Sequence, residues 1–173
     1  MRWLVVIWTF FFASSVAGST SPPNAPPADE TPVVRVQITP SGTVELGTEL
    51  ELQVDVLVPT WFLAAPRFPE SIELPGATAE LVRGSAENLS EAIADGTWAG
   101  LRRRYRIQPL NPGELRLPEL AIPIRYAGPE DRSPIDLTAR GRLHTPVRIT
   151  VPAAAAGLEP FVAAHHLHLL ERI

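Results

Sequence analysis

The chain has 173 residues, of which 45% are hydrophobic and 20% charged, and its formal net charge is −4. This composition excludes an intrinsically disordered chain, and the negative charge argues against a nucleic-acid surface, which needs a basic patch to neutralise phosphates. The chain has no cysteine, which excludes disulfides, thiolate nucleophiles and cysteine-ligated metals.

The N-terminus has the features of a secretory signal peptide. A positive charge at the second residue precedes an apolar stretch ending at Phe12, and small residues precede a cleavage position after Ala17. We therefore expect a signal peptide over residues 1–17 and an extended Pro/Ser-rich linker over residues 18–31. The alternative is an uncleaved N-terminal anchor, although the apolar stretch is shorter than the roughly 20 residues of a spanning helix. Export without disulfides favours the periplasm of a bacterial envelope.

The first two strands are predicted by alternation of apolar and polar residues. The alternation runs through Val34–Ile38 and through Leu50–Val58, and Pro40–Gly42 supplies a turn between them. Period-two alternation of this length predicts strands with one buried and one solvated face.

The segment Val58–Pro69 combines aromatic residues with prolines. Proline fixes φ and removes a hydrogen-bond donor, so the segment is neither a continuing central strand nor a helix. Trp61, Phe62 and Phe68 could each bury roughly 150–250 Å². The sequence predicts a rigid, irregular crossing pinned by these rings.

Further strand signals follow, at Ser71–Leu74, Thr78–Val82, Arg102–Gln108, Glu114–Leu117, Leu120–Tyr126, Ile135–Leu143 and Val147–Val151. Pro123 predicts that its strand lies at a sheet edge or contains a bulge. Asn88–Ala94 is compatible with a short helix or with an extended segment, and Ala153–Ala164 is a second, interrupted helical candidate.

Short strands separated by Pro and Gly turns predict an all-β fold, an antiparallel immunoglobulin-like β-sandwich. We assign this domain to residues 32–152. Residues 153–173 are interpreted as a linker and the orphan strand of a truncated second domain, and a natural one-domain form is equally compatible with the sequence.

Two motifs resemble the N-terminal domain of BatD-type aerotolerance (oxygen-tolerance) proteins. The first is Thr60–Phe62 followed by Pro66–Pro69, and the second is Gly96–Gly100, which leads into a basic strand carrying Tyr105. The resemblance covers roughly Thr31–Pro152.

The resemblance implies an envelope protein without an established enzyme activity that acts as a scaffold or chaperone-like partner. Its implied partners are inner-membrane proteins with von Willebrand A domains and a MoxR-type ATPase. Family members are implied to carry tandem sandwich domains and a C-terminal membrane anchor. This chain departs from that pattern, since we expect no C-terminal anchor in it.

Two surfaces are candidate interaction sites. Trp61, Phe62 and Trp98 would mark one if they were exposed together, and the alternative is that at least one tryptophan is a core anchor.

Arg102, Arg104 and Arg106 lie on one face of one strand and form what we call the arginine ladder. The ladder could bind acidic partners or lipid headgroups. Alternatively, it is a solvated face balanced by cross-strand carboxylates such as Glu49, Glu51 or Asp55.

Two of the three C-terminal histidines, His166 and His168, are candidate metal ligands; the third, His165, directly precedes them. On a strand, His166 and His168 point to the same side, a spacing that suits Zn²⁺ or Cu²⁺ with a third ligand from His144 or Glu171. The competing interpretation is a polar edge strand.

The sequence contains no Gly-x-Ser-x-Gly elbow, no His-Glu-x-x-His and no phosphate-binding glycine loop. We therefore expect a non-enzymatic periplasmic interaction module that needs no cofactor. The alternatives are a small metal- or ligand-binding protein that uses the histidine tail, and a hydrolase with a dispersed site.

Overall fold

The computed structural model describes residues 31–93 and 96–157, and these residues form eleven β-strands and one short 3₁₀ helix. The strands are β1 (Val33–Thr39), β2 (Thr43–Glu45), β3 (Leu50–Val58), β4 (Phe62–Ala64), β5 (Ala77–Leu81), β6 (Glu87–Ile93), β7 (Gly96–Pro109), β8 (Gly113–Leu115), β9 (Leu120–Ala127), β10 (Pro134–Gly141) and β11 (Val147–Thr150). The 3₁₀ helix is Ala153–Ala155. The predicted all-β fold is confirmed.

The strands form three sheets. The first has the order β1-β3-β7-β5, with β6 also pairing with β7; the second is β10-β9-β4 and the third is β2-β11-β8. Among the described strands, the pairing of β2 with β11 is parallel and the other pairings are antiparallel. The prediction of antiparallel sheets is therefore confirmed, apart from this short parallel pair.

One hydrophobic core joins all three sheets. Inward rows of β3 and β7, including Val54 and Ile107, pack in the same cluster as Ile122 of β9 and Val147 of β11. Each fully buried Val, Leu or Ile side chain contributes about 1.5–3 kcal/mol relative to exposure, so this shared cluster holds the sheets together.

The outer face of β3 is only partly solvated, contrary to the simple alternation. Glu51 is exposed there, but Asp55 is 3% exposed and Leu57 is fully buried. Because β3 lies between β1 and β7, neighbouring side chains cover the far half of its outer face.

Pro123 lies in a central strand, so the predicted edge position is wrong. β9 pairs regularly with β10 through Pro123 and Thr138, and the irregularity lies in β4, where the register shifts between Phe62 and Ala64. The carbonyl of Pro123 accepts a hydrogen bond from the Arg67 amide (3.1 Å). The missing donor of Pro123 therefore faces the side on which β4 has already ended.

The two ambiguous segments are resolved in different ways. Glu87–Ile93 is the strand β6, so the extended interpretation is correct. Ala153–Ala155 is a single 3₁₀ turn. The predicted signal peptide, nearly all of the linker and the orphan strand lie outside the described residues.

Candidate functional site

The edge strand β4 and the residue before it expose two large apolar side chains. Trp61 is 42% exposed and Leu63 is 44% exposed, whereas Phe62 between them packs against the core. β4 pairs with β9 on one edge, and no described strand pairs with its other edge. Phe62 thus packs inward, while Trp61 and Leu63 on either side of it remain exposed.

The segment that carries β4 is fastened to its neighbours by main-chain and side-chain hydrogen bonds. The Ala127 amide donates to the carbonyl of Trp61 (3.1 Å), and the hydroxyl of Thr60 donates to the carbonyl of Ala127. At the far end, the Tyr105 hydroxyl donates to the carbonyl of Pro69 (2.8 Å). The predicted crossing is therefore held at both ends by hydrogen bonds. It contains the short strand β4, and Phe62 and Phe68 pack against the core as predicted, whereas Trp61 does not pin it because its ring is exposed.

The loop between β9 and β10 places a cation on Trp61. The Cζ atom of Arg132 lies 4.8 Å from the centre of the indole ring, within the range of a cation–π contact. Arg132 adopts a φ of 61°, a left-handed conformation uncommon for a residue other than glycine. Its amide donates to the carbonyl of Gly128 (3.1 Å), so loop hydrogen bonding maintains this conformation.

The same loop is stabilised by a carboxylate. The Ser133 amide donates to Oδ1 of Asp131 (3.0 Å), and this bond holds the pKa of Asp131 below its usual range. The Gly128 amide also donates to the carbonyl of Ser133 (2.8 Å). The turn that positions Arg132 is thus closed on both sides.

A shallow groove of about 420 Å³ lies beside β4 on the second sheet. Ala64 and Pro123 contribute to its apolar lining, and Arg67, Arg125 and Asp136 add charge. Nε of Arg125 lies 3.8 Å from Oδ1 of Asp136, so these two exposed side chains partly balance each other.

We call Trp61, Leu63 and Arg132, together with this groove, the β4 surface. It combines exposed apolar side chains, a stacked guanidinium and a concave floor, the features that recur at protein contact sites.

The arginine ladder has internal partners. Nε of Arg102 lies 2.7 Å from Oδ1 of Asp55, and its Nη2 lies 2.9 Å from Oδ2, a two-pronged contact that raises the pKa of Arg102. Arg104 contacts Glu87 at 3.0 Å and Glu51 at 3.8 Å.

Arg106 contacts Glu49 at 3.1 Å. The sequence-based expectation of cross-strand carboxylate partners is met at every rung. The ladder is therefore a neutralised face, which reduces its attraction for an acidic ligand.

Trp98 belongs to the same face as the ladder but is only 4% exposed. Gly100, two residues on, faces Leu89 and Leu57, because an added Cβ there would lie 3.0 Å from the Leu89 Cβ and 3.2 Å from the Leu57 Cγ. The Gly-Thr-Trp-Ala-Gly motif thus makes room for a small apolar cluster. Trp98 is a buried residue and is not part of an exposed surface with Trp61.

Of the predicted metal ligands, the structure describes only His144. His165, His166, His168 and Glu171 lie outside the described residues. Within residues 31–93 and 96–157, no cluster of three or more histidine or carboxylate side chains is placed to hold a metal ion.

His144 lines a second cavity, of about 340 Å³, together with Arg116, Glu119 and Arg142. Glu119 accepts hydrogen bonds from Arg140 (2.9 Å) and Arg142 (3.3 Å), which hold its pKa below its usual range. The two arginines that line this cavity with His144 are paired with carboxylates, Arg116 with Glu114 and Arg142 with Glu119.

Leu63 and Arg132 of the β4 surface were not predicted from the sequence. Leu63 follows Trp61 by two residues, so strand alternation could have placed both on one side. Arg132 carries no local signal, because its contact with Trp61 depends on how β9 and β10 pair with β4.

No helix among the described residues is long and apolar enough to cross a membrane. No protein-family model, curated protein or solved structure matches the chain.

Proposed function

We propose that the chain is a non-enzymatic protein-interaction module of the bacterial envelope and that the β4 surface is its contact site. The observation that carries this proposal is the exposure of both Trp61, just before the edge strand β4, and Leu63 within it, with Arg132 against the indole ring. Tryptophan and arginine are the residues most enriched where binding energy concentrates in protein interfaces.

The fold does not need Trp61 as a core anchor. Phe62 of β4 packs against the core, Tyr105 of β7 lies within it, and Trp98 is buried on the opposite face of the first sheet. Exposing a tryptophan beside a leucine has a hydrophobic cost in the free chain. A partner that covers both side chains would recover that free energy.

The envelope assignment rests on the signal-peptide pattern and on the resemblance to BatD-type proteins. The strand order supports an immunoglobulin-like sandwich, since β1-β3-β7-β5 and β4-β9-β10 correspond to strands A-B-E-D and C-F-G of that fold. Under this proposal the module works in the periplasm, and its partners are inner-membrane proteins with von Willebrand A domains.

Affinity capture from envelope extracts tests the contact site. We expect one partner to be retained by the unmodified chain and lost with the double variant Trp61→Ala, Leu63→Ala. The matched control is Leu110→Ala, which truncates another exposed leucine (55% exposed) away from β4. A partner retained equally by the double variant would contradict the proposal, as would the absence of any specific partner.

A further inference from the structure

β6 is a long strand with one unpaired edge. It pairs through all seven residues, Glu87–Ile93, with β7, and no described strand pairs with its other side. Of the other edge strands of five or more residues, β5 has bridges from Ser71 and Leu74 on its free side. β1 and β10 pack against each other, where Gly141 lies next to Val34.

The usual protections of an open edge are missing from β6. Edge strands are commonly guarded by proline, lysine, a bulge or an unpaired charge. β6 has a regular register without a bulge, and its sequence, Glu-Asn-Leu-Ser-Glu-Ala-Ile, contains neither proline nor lysine.

The two glutamates of β6 are occupied by the chain itself. Glu87 contacts Arg104 at 3.0 Å and Arg102 at 3.8 Å, and Glu91 contacts Arg35 at 2.5 Å. Each glutamate therefore has an arginine partner within the first sheet, which weakens the repulsion between two such edges without abolishing it.

We propose that β6 pairs antiparallel with β6 of a second copy of this chain, around a two-fold axis at Ser90. Ser90 is exposed, and its neighbours on the same face, Asn88 and Ala92, are small and exposed as well, so a second strand can approach closely. The pairing joins the first sheets of two copies into one continuous sheet.

Charge selects this register. With Ser90 opposite Ser90, Glu91 lies opposite Leu89 and Glu87 lies opposite Ile93. A shift by two residues in either sense brings glutamates directly opposite each other, an arrangement that is destabilising across strands. The register centred on Ser90 avoids that contact.

Sedimentation velocity over a concentration series tests the pairing. One seven-residue strand per copy is a small interface, so we expect weak self-association that becomes visible at high protein concentration. Ser90→Lys places two lysines opposite each other at the axis and should abolish the rise in sedimentation coefficient. Thr78→Lys, at an exposed position of β5, should leave it unchanged.

A chain that stays monomeric throughout the series would overturn the proposal, and so would a Ser90→Lys variant that associates like the unmodified chain. Far-ultraviolet circular dichroism of each variant checks that the lysine has not unfolded the domain.

Cysteine cross-linking tests the register independently, because the chain has no cysteine of its own. Ser90→Cys places the two thiols on directly opposite residues, whereas Asn88→Cys separates them by four residues along the strands, about 13 Å. A short bis-maleimide should therefore link Ser90→Cys chains much faster than Asn88→Cys chains. Equal rates, or a faster reaction at position 88, would overturn the register.

Discussion

The ion pairs of the arginine ladder differ in how far they are removed from water. Asp55 is nearly buried and accepts hydrogen bonds from two nitrogens of Arg102, whereas Arg106 and Glu49 both remain largely solvated. Exposed pairs typically contribute less than about 1 kcal/mol, while removing one member of a buried pair leaves a costly uncompensated charge.

Asp55→Ala is therefore expected to lower the free energy of unfolding by about 2–4 kcal/mol, because the partly buried guanidinium of Arg102 loses its partner. Glu49→Ala is the matched control and should cost less than about 1 kcal/mol. Denaturant unfolding of both variants measures the difference. Equal effects would show that burial does not set the strength of these pairs.

Tyr105 connects a single side chain to the pH dependence of stability. Burial raises the pKa of Tyr105 from 10.0 to about 12, and its hydroxyl donates to the carbonyl of Pro69. The unfolded chain releases this proton first, so stability that is intact below pH 10 should decline as the pH rises toward 12.

Few other side chains titrate in this pH range, because the chain contains no lysine, no cysteine and only two tyrosines. Unfolding free energies measured across the alkaline range should fall less steeply for Tyr105→Phe than for the unmodified chain. Identical slopes would mean that Tyr105 ionises equally in the folded and unfolded states.

At the scale of elements, glycine sets how closely strands approach. A Cβ added at Gly141 of β10 would lie 2.3 Å from the Cγ1 of Val34 on β1, so the corner between these strands has no room for a side chain. At Gly96 the nearest atom would be 3.8 Å away, at Trp98.

Gly141→Ala should lower the thermal midpoint and cost about 1–3 kcal/mol through overpacking. Gly96→Ala should be close to neutral, because the added methyl group meets only ordinary contacts. Calorimetry of the two variants provides the comparison, and a neutral Gly141→Ala would show that β1 and β10 can separate without cost.

Strands with strong apolar–polar alternation could be predicted from the sequence. Short strands that form only through pairing with another strand could not. The inward rows of β3, β7 and β9 follow directly from period-two patterns. β2 has three residues and depends on its pairing with β11, so it left no local pattern. The predicted edge position of Pro123 was wrong because β9 tolerates a proline where the neighbouring strand β4 has already ended. That tolerance depends on how the sheet is assembled and leaves no signal in the local sequence.

The residues of the candidate site also differ in how far they could be predicted from the sequence. Trp61 stood out as an aromatic residue between prolines, but its exposure depends on Phe62 taking the inward side of β4. The neutralisation of the ladder was foreseeable from charges on adjacent strands. The contact between Arg132 and Trp61 was not, because it joins a loop to a distant edge strand.

At the scale of the whole molecule, one core supports two different exposed features. The β4 surface belongs to the second sheet, and the open edge of β6 belongs to the first. Under the two proposals, the chain would hold a partner at β4 while two copies pair through β6. In an envelope assembly this arrangement would present two contact sites per dimer.

Site-specific photo-cross-linking in cells tests most directly whether the β4 surface is the contact site. A photoreactive phenylalanine analogue at Leu63 should form a covalent adduct with an envelope protein, and the same analogue at Leu110, which is somewhat more exposed, should not. Adducts of the same protein from both positions, or none from Leu63, would contradict the assignment of β4 as the contact site.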